Sequence, residues 1–376
     1  MNDKKIIFYA IISTLFCVII YPKVYLFELG LKSLELGRTT AGIEDYKHFD
    51  IREIPKSENP TPLPIHSNYN LISETSSLKK LNNLNRTIAF LIIKNDSILH
   101  EKYYEGFEKN SKTNSFSMVK TIVSACLEKA IEEGKIQGYE QKVIDFLPWL
   151  KGPYAPEVSV GDLAKMSSGL KWKEDYFNLL TITPRTYITR NIQRVMKTIP
   201  IINPPGEKFN YQSGSTQLLS LVLESATDEN ISELVWRYFL NPLGVESESN
   251  WRLDSYKNNT EKSYCCFNSS ARNFTRFALL FKNNGIWNGK QIISEKYVKK
   301  STSPQLKNGQ NYGYGWWIGK YHEKSFYSMR GHKGQYVFVF PNEDIVIVRL
   351  GREETSQDGI EYVEEVFKML KISQLK

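Results

Sequence analysis

Two hairpin patterns stand far apart in the chain. The first runs TIAFLIIK from Thr87 to Lys94, breaks at Asn95-Asp96 and returns as SILHEKYYEGF. β-Branched and aromatic runs separated by such a turn pair read as antiparallel strands. The second runs QYVFVF from Gln335, turns at Pro341-Asn342-Glu343-Asp344 and returns as IVIVRL. Its strands are apolar at consecutive positions, which predicts a sheet covered on both faces. The chain closes with GIEYVEEVFKML, where Ile360, Val363, Val366, Phe367 and Leu370 form one stripe at helical spacing.

The sequence between the hairpins is mostly helical in pattern. MVKTIVSACLEKAIEEGKI ends a helix before Gly134, and TQLLSLVLESAT, ISELVWRYFLNPLG and SARNFTRFALLFKNNG supply three more, each bounded by Gly or Pro signals. Strands at both ends with helices between predict one antiparallel sheet built from the two termini. The helical insertion makes a second lobe, so the expected class is α/β (α+β) with two lobes. No internal repeat is present.

Upstream the pattern differs. Ile6 to Ile20 read IIFYAIISTLFCVII without a charge, after Lys4 and Lys5. Extended to Phe27, with Lys23 snorkelling, the run reaches the ~20 residues a membrane span needs. No small-x-small cleavage site follows it, so the reading is an uncleaved N-terminal transmembrane helix, with a cleaved signal as the alternative. The preceding lysines place the N-terminus in the cytoplasm and the body on the extracytoplasmic side. Residues 31–80, with Pro55, Pro60, Pro62 and Pro64, read as an extended connector of little helix. The expected organisation is therefore an anchor at 1–30, a connector at 31–80 and a body at 81–376.

Composition narrows the function classes. The 376 residues are 41% hydrophobic and 13% aromatic, which excludes a mostly disordered chain. The net charge of +8 is spread thinly, with no long basic run and no nucleic-acid-binding signature, so a nucleic-acid partner is not expected. The four cysteines give neither a disulfide framework nor a metal pattern. Cys265 and Cys266 are adjacent and bond to each other only with strain, while a Cys126–Cys266 bridge stays open. The five histidines share no ligand spacing. No metal and no cofactor is expected, and the oligomeric state is not legible.

The chemistry concentrates in three short segments. Ser117-Met118-Val119-Lys120 opens the first long helix, and residues three apart share a helix face, so the hydroxyl and the amine can meet. A serine is a weak nucleophile until a base takes its proton, and a lysine is such a base only when burial or a nearby cation lowers its pKa. Phe116, Val119, Ile122 and Val123 offer that burial. Downstream, the turn-rich PPGEKFNYQSG places Tyr211 and Ser213 just before a helix, where a tyrosine can shuttle a proton if a cation depresses its pKa. Finally, Gly331-His332-Lys333-Gly334-Gln335 leads into the QYVFVF strand, where glycines let backbone approach a ligand. Trp172, Asp175 and Tyr176 follow SSGL in a loop that either borders the substrate or is surface. Trp316 and Trp317 either line the cleft or belong to the aromatic core, with core the preferred reading.

The order S-x-x-K, Y-x-S, H-x-G resembles the serine β-lactamase and penicillin-recognising superfamily. It is most similar to the class C β-lactamase-related branch, with its esterases and 6-aminohexanoate-dimer hydrolase. VGDLAKMSSGLKW, FLNPLGVE and YGYGWWI support the resemblance, which covers about Leu84 to Leu370. It implies a β-lactamase-like fold and a serine hydrolase of small esters or amides. Ser117 would be acylated, with Lys120 and Tyr211 as proton-transfer partners, and which of these two takes the first proton stays open. The backbone N–H groups of Ser117 and Gln335 would hold the oxyanion, and Ser213, His332 and Gly334 would border the substrate. Two departures separate the chain from true β-lactamases. Ser213 replaces an Asn expected to contact a substrate amide, and His332 stands where a Lys belongs. Alternative readings are a D,D-peptidase or β-lactamase, and a catalytically silent binding protein of the same fold.

Overall fold

The structure is a computed structural model that describes residues 25–306, 311–356 and 358–374. In chain order the elements used below are α1 (Tyr25–Leu36), β1 (Ile51–Ile54), α2 (Ser76–Leu84), β2 (Thr87–Lys94), β3 (Ser97–Tyr103), β4 (Thr113–Asn114) and α3 (Val119–Glu132). There follow α4 (Val160–Ala164), α5 (Ile182–Ile188), α6 (Ile192–Met196), α7 (Ser213–Thr227), α8 (Ile231–Val235), β5 (Ser249–Arg252) and β6 (Phe267–Ser269). The chain continues with α9 (Ala271–Lys282), β7 (Ile286–Trp287), β8 (Lys290–Gln291), α10 (Glu295–Ser301), β9 (Trp317–Tyr321), β10 (Lys324–Gly331), β11 (Gln335–Phe340), β12 (Ile345–Gly351) and α11 (Ile360–Gln374).

The expected sheet forms from the two ends of the body. Six strands run in the order β3-β2-β12-β11-β10-β9, every neighbouring pair antiparallel. The pairing Val348↔Leu91 joins the C-terminal hairpin to the N-terminal one. Period-two alternation then divides the apolar runs between two cores. Phe90, Ile92, Tyr336, Phe338, Phe340 and Ile347 pack beneath Leu78 of α2 and Tyr362, Val363 and Val366 of α11. Leu91, Ile93, Val337, Val339, Val346 and Val348 face the larger core, which contains α9 and the helices of the insertion. Burial on both faces is why these strands lack a polar register. β9 and β10 extend the sheet beyond what the pattern announced, because SFYSMRG alternates apolar and polar residues too briefly to declare itself.

A second sheet, β1-β5-β6-β4, lies beside the insertion. Its first strand comes from the stretch read as a connector. That stretch is extended around its prolines yet bound to the body. Ser57 and Thr61 N–H donate to the carbonyls of Val245 and Gly244 (both 3.1 Å), and Ile98 N–H donates to Pro64 (2.8 Å). It also holds helix at each end, α1 and α2. The apolar run Ile6–Ile20 lies outside the described residues; among those described, no helix is long and apolar enough to cross a membrane. The cysteines correct a sequence expectation: Cys265 and Cys266 are bonded to each other, and Cys126 is a free thiol in the core. Cys266 holds φ +71°.

Candidate active site

Ser117 sits one turn earlier than the helix it was expected to begin. Phe116–Met118 form a tight 3-10 turn, and α3 proper starts at Val119. Phe116 holds φ +44°, a region costly for a bulky side chain and met mainly at functional sites. The surroundings enforce it. Phe116 N–H donates to Asn114 Oδ1 (2.8 Å), which also accepts from Cys266 N–H (3.0 Å), and Ser115 N–H donates to Phe267 O (2.8 Å). The short β4–β6 pairing, Thr113↔Ser269 and Asn114↔Asn268, thus fixes the turn that presents Ser117.

Lys120 lies on the first turn of α3, 1% exposed, with Nζ 2.5 Å from Ser117 Oγ. Burial pulls its pKa down to about 8, against an upward pull from the carboxylate of Glu174. The amine therefore exchanges its proton near neutrality. The same Nζ lies 5.0 Å from the centre of the Tyr211 ring. Tyr211 reaches Ser117 from the other side, packed against Trp317 (5.2 Å between ring centres) and Tyr312 (6.1 Å). Its pKa is not depressed, contrary to the sequence expectation. Burial raises it, the hydrogen bond with Ser117 opposes this only in part, and the charge of Glu174 adds to the rise. Trp316 is core, as read, whereas Trp317 backs the catalytic-site tyrosine.

Glu174 was missed in the sequence. Its carboxylate accepts the Ser213 hydroxyl (2.6 Å), the Ser213 N–H (2.8 Å) and the Trp172 indole N–H (2.7 Å). The Ser213 N–H opens α7, where the helix dipole favours a negative charge. Gln212 brings the two segments together, its side-chain amide donating to the carbonyls of Leu170 (2.7 Å) and Trp172 (2.8 Å). The only signal available was a carboxylate beside the singled-out Trp172 and Tyr176. Ser213 borders the cleft as expected, but both its donors are engaged by Glu174. Tyr176 also belongs to the site. Its ring stacks on His332 (5.3 Å) and its hydroxyl reaches Ser117. Asp175 does not, and instead accepts the N–H groups of Phe177 and Asn178.

His332, Lys333 and Gly334 form the three-residue turn between β10 and β11 rather than a strand. Lys333 (φ +63°) and Gly334 (φ +72°) turn the chain, and a Cβ on Gly334 would meet Arg349 Nη1 at 2.4 Å. The turn separates the two basic side chains. His332 faces Ser117 between Phe116 and Tyr176, and burial with the neighbouring Lys333 lowers its pKa to about 4. It is neutral at pH 7. Lys333 lines a different cleft with Arg38, Arg86 and Arg352. The Gln335 side chain is buried and clamps the turn, donating to Gly351 O (2.7 Å) and accepting from Gly351 N–H (3.1 Å). Only its backbone is left for chemistry.

The family model described as Beta-lactamase matches residues 83–363. The chain is 22% identical over 291 residues to the 6-aminohexanoate-dimer hydrolase of Paenarthrobacter ureafaciens, covering 70% of this chain and 72% of that one. Among solved structures it is similar to the "Putative 6-aminohexanoate-dimer hydrolase from Bacillus anthracis" (TM-score 0.76, 20% identity, 88% of this chain and 94% of that one). It is also similar to a penicillin binding protein from Bacillus halodurans (TM-score 0.61, 18% identity, 78% and 100%). At these identities the structural likenesses show the fold.

Proposed function

The chain belongs to the beta-lactamase family, a family of hydrolases, and on that premise we propose that it cleaves a small ester or amide through an acyl-enzyme on Ser117. The observation that carries this reading is the 2.5 Å contact between Ser117 Oγ and a buried lysine whose pKa has fallen to about 8. When Lys120 is neutral, the serine hydroxyl donates to it, and attack on a carbonyl carbon leaves the proton on Nζ. The raised pKa of Tyr211 makes its phenolate scarce near pH 7, which favours Lys120 as the first base. Tyr211 then passes the proton to the departing alkoxide or amine, and in the second half-reaction water attacks the acyl carbon along the same relay. The backbone N–H groups of Ser117 and Gln335 are the donors assigned to the oxyanion.

The neutral His332 argues for the esterase or amidase reading over β-lactam turnover, since it provides no permanent cation for a substrate carboxylate. The engaged Ser213 points the same way. Lys4 and Lys5 before the apolar run support a body held on the extracytoplasmic face of a membrane. The test is Ser117→Ala against p-nitrophenyl acetate, with fluorophosphonate labelling of the wild type mapped by mass spectrometry. Wild-type turnover by the variant, or label on another residue, removes the reading. Rapid nitrocefin hydrolysis would move it to the β-lactamase branch.

A further inference from the structure

One cleft is lined at once by Ser117 and by helix α1. Around the nucleophile its walls include Phe116, Tyr176 and His332, and elsewhere Phe177, Leu179 and Ile188. α1 contributes Leu29, Lys32, Ser33 and Leu36, the i, i+3, i+4, i+7 stripe of a single helix face. The opposite face of α1 is apolar, with Phe27 71%, Leu31 52% and Leu34 82% exposed. The first stripe forms a wall of the cleft through Leu29 and Leu36, and the apolar Ile6–Ile20 run lies upstream of the helix in the sequence. The Tyr25 hydroxyl holds the start of α1 to the carbonyl of Leu179 (3.0 Å), in the same loop that carries Tyr176.

We propose that the site is built for a substrate whose acyl part is an unbranched apolar chain, lying from Ser117 along the wall formed by Leu29 and Leu36. This rests on the serine hydrolase reading above and names its substrate class. A short acyl group leaves these apolar walls facing water, whereas a longer chain covers them, and each buried methylene favours binding by up to about fourfold. The reaction is unchanged: Ser117 Oγ bonds to the chain's carbonyl carbon, the alcohol or amine leaves with the relayed proton, and water releases the fatty acid.

The test uses the full chain in phosphatidylcholine nanodiscs. Second-order rate constants are measured for p-nitrophenyl acetate and octanoate, and for labelling of Ser117 by ethyl and octyl fluorophosphonates. The octyl members should react at least tenfold faster. Leu29→Trp, which fills the cleft with an apolar side chain, should cut the octanoate-to-acetate and octyl-to-ethyl rate ratios at least fivefold. Leu34→Asp, on the exposed face, should leave the octyl-to-short ratio within twofold. Brisk labelling of Ser117 with no dependence on chain length, or a preference untouched by Leu29→Trp, overturns the inference and leaves the hydrolase standing. Failure of every probe to modify Ser117 overturns both.

Discussion

The Glu174 carboxylate receives both donors of Ser213, the hydroxyl at 2.6 Å and the backbone N–H at 2.8 Å. The serine that replaces an asparagine in the Y-x-S segment therefore holds an anion in place instead of reaching out to a substrate. That anion is a charged neighbour felt by Lys120, Tyr211 and Tyr176 alike. For Lys120 it partly offsets burial.

Neutralising Glu174 should consequently make the base easier to deprotonate. In Glu174→Gln, Lys120 loses its favourable charge partner and its pKa falls further below about 8. The alkaline-rising limb of kcat/KM for p-nitrophenyl acetate should move to lower pH than in the wild type. An unmoved limb would show that Glu174 acts only as a brace.

Lys120→Met separates catalysis from stability. It should lower kcat by two to four orders of magnitude, the usual worth of a positioned base. It should also stabilise the fold. The folded pKa lies below the unfolded value of 10.5, so the folded state is penalised at every pH where the amine must carry its proton. The full penalty, on the order of 3 kcal/mol, applies below about pH 8 and fades as the pH rises from there toward 10.5. Thermal unfolding at pH 7 and pH 10 should show the variant's advantage at pH 7 shrinking at pH 10.

Tyr211→Phe removes the relay and keeps the ring packing against Trp317 and Tyr312. A fall in kcat of about a hundredfold or more with an unchanged melting temperature is expected. With p-nitrophenolate, a leaving group that departs without a proton, the loss in acylation should be smaller than with an anilide. Equal losses for both would take the leaving-group role from Tyr211.

Gly331→Ala probes how closely the sheet approaches the nucleophile. A Cβ at Gly331 would stand 2.3 Å from the backbone oxygen of Ser115, inside the turn that presents Ser117. The turn must shift, at a cost of about 1–3 kcal/mol. Activity should fall far more than stability. Near-wild-type kcat/KM would mean that the nucleophile's position tolerates this displacement.

His332→Phe should retain ester turnover within about threefold. The histidine is neutral above about pH 4 and meets Phe116 and Tyr176 through ring contacts. A large loss of activity would assign the imidazole a polar role with substrate.

The hairpins were legible because burial on both faces writes itself as unbroken apolar runs, and the helices because their stripes are long. The Ser117–Lys120 pair was legible because a helical spacing of three is a local fact. Glu174 was not: nothing in its own segment pairs it with Ser213, and the link exists only because Gln212 ties the SSGLKW loop to the start of α7. The same holds for the His332–Gly334 turn, since its two positive φ angles leave little trace in the sequence beyond one glycine.

By itself, then, the sequence determined the residue types of the candidate site, their local spacing, and a sheet drawn from both ends of the body. These are properties of neighbours along the chain and of side-chain periodicity. Tertiary structure decided what each group is worth chemically. Lys120 can give up its proton near neutrality because the core removes its water, Tyr211 keeps its proton because burial and Glu174 outweigh Ser117, and His332 stays neutral between two rings. Such shifts depend on desolvation and on charges brought from distant segments, and no reading of spacing contains them.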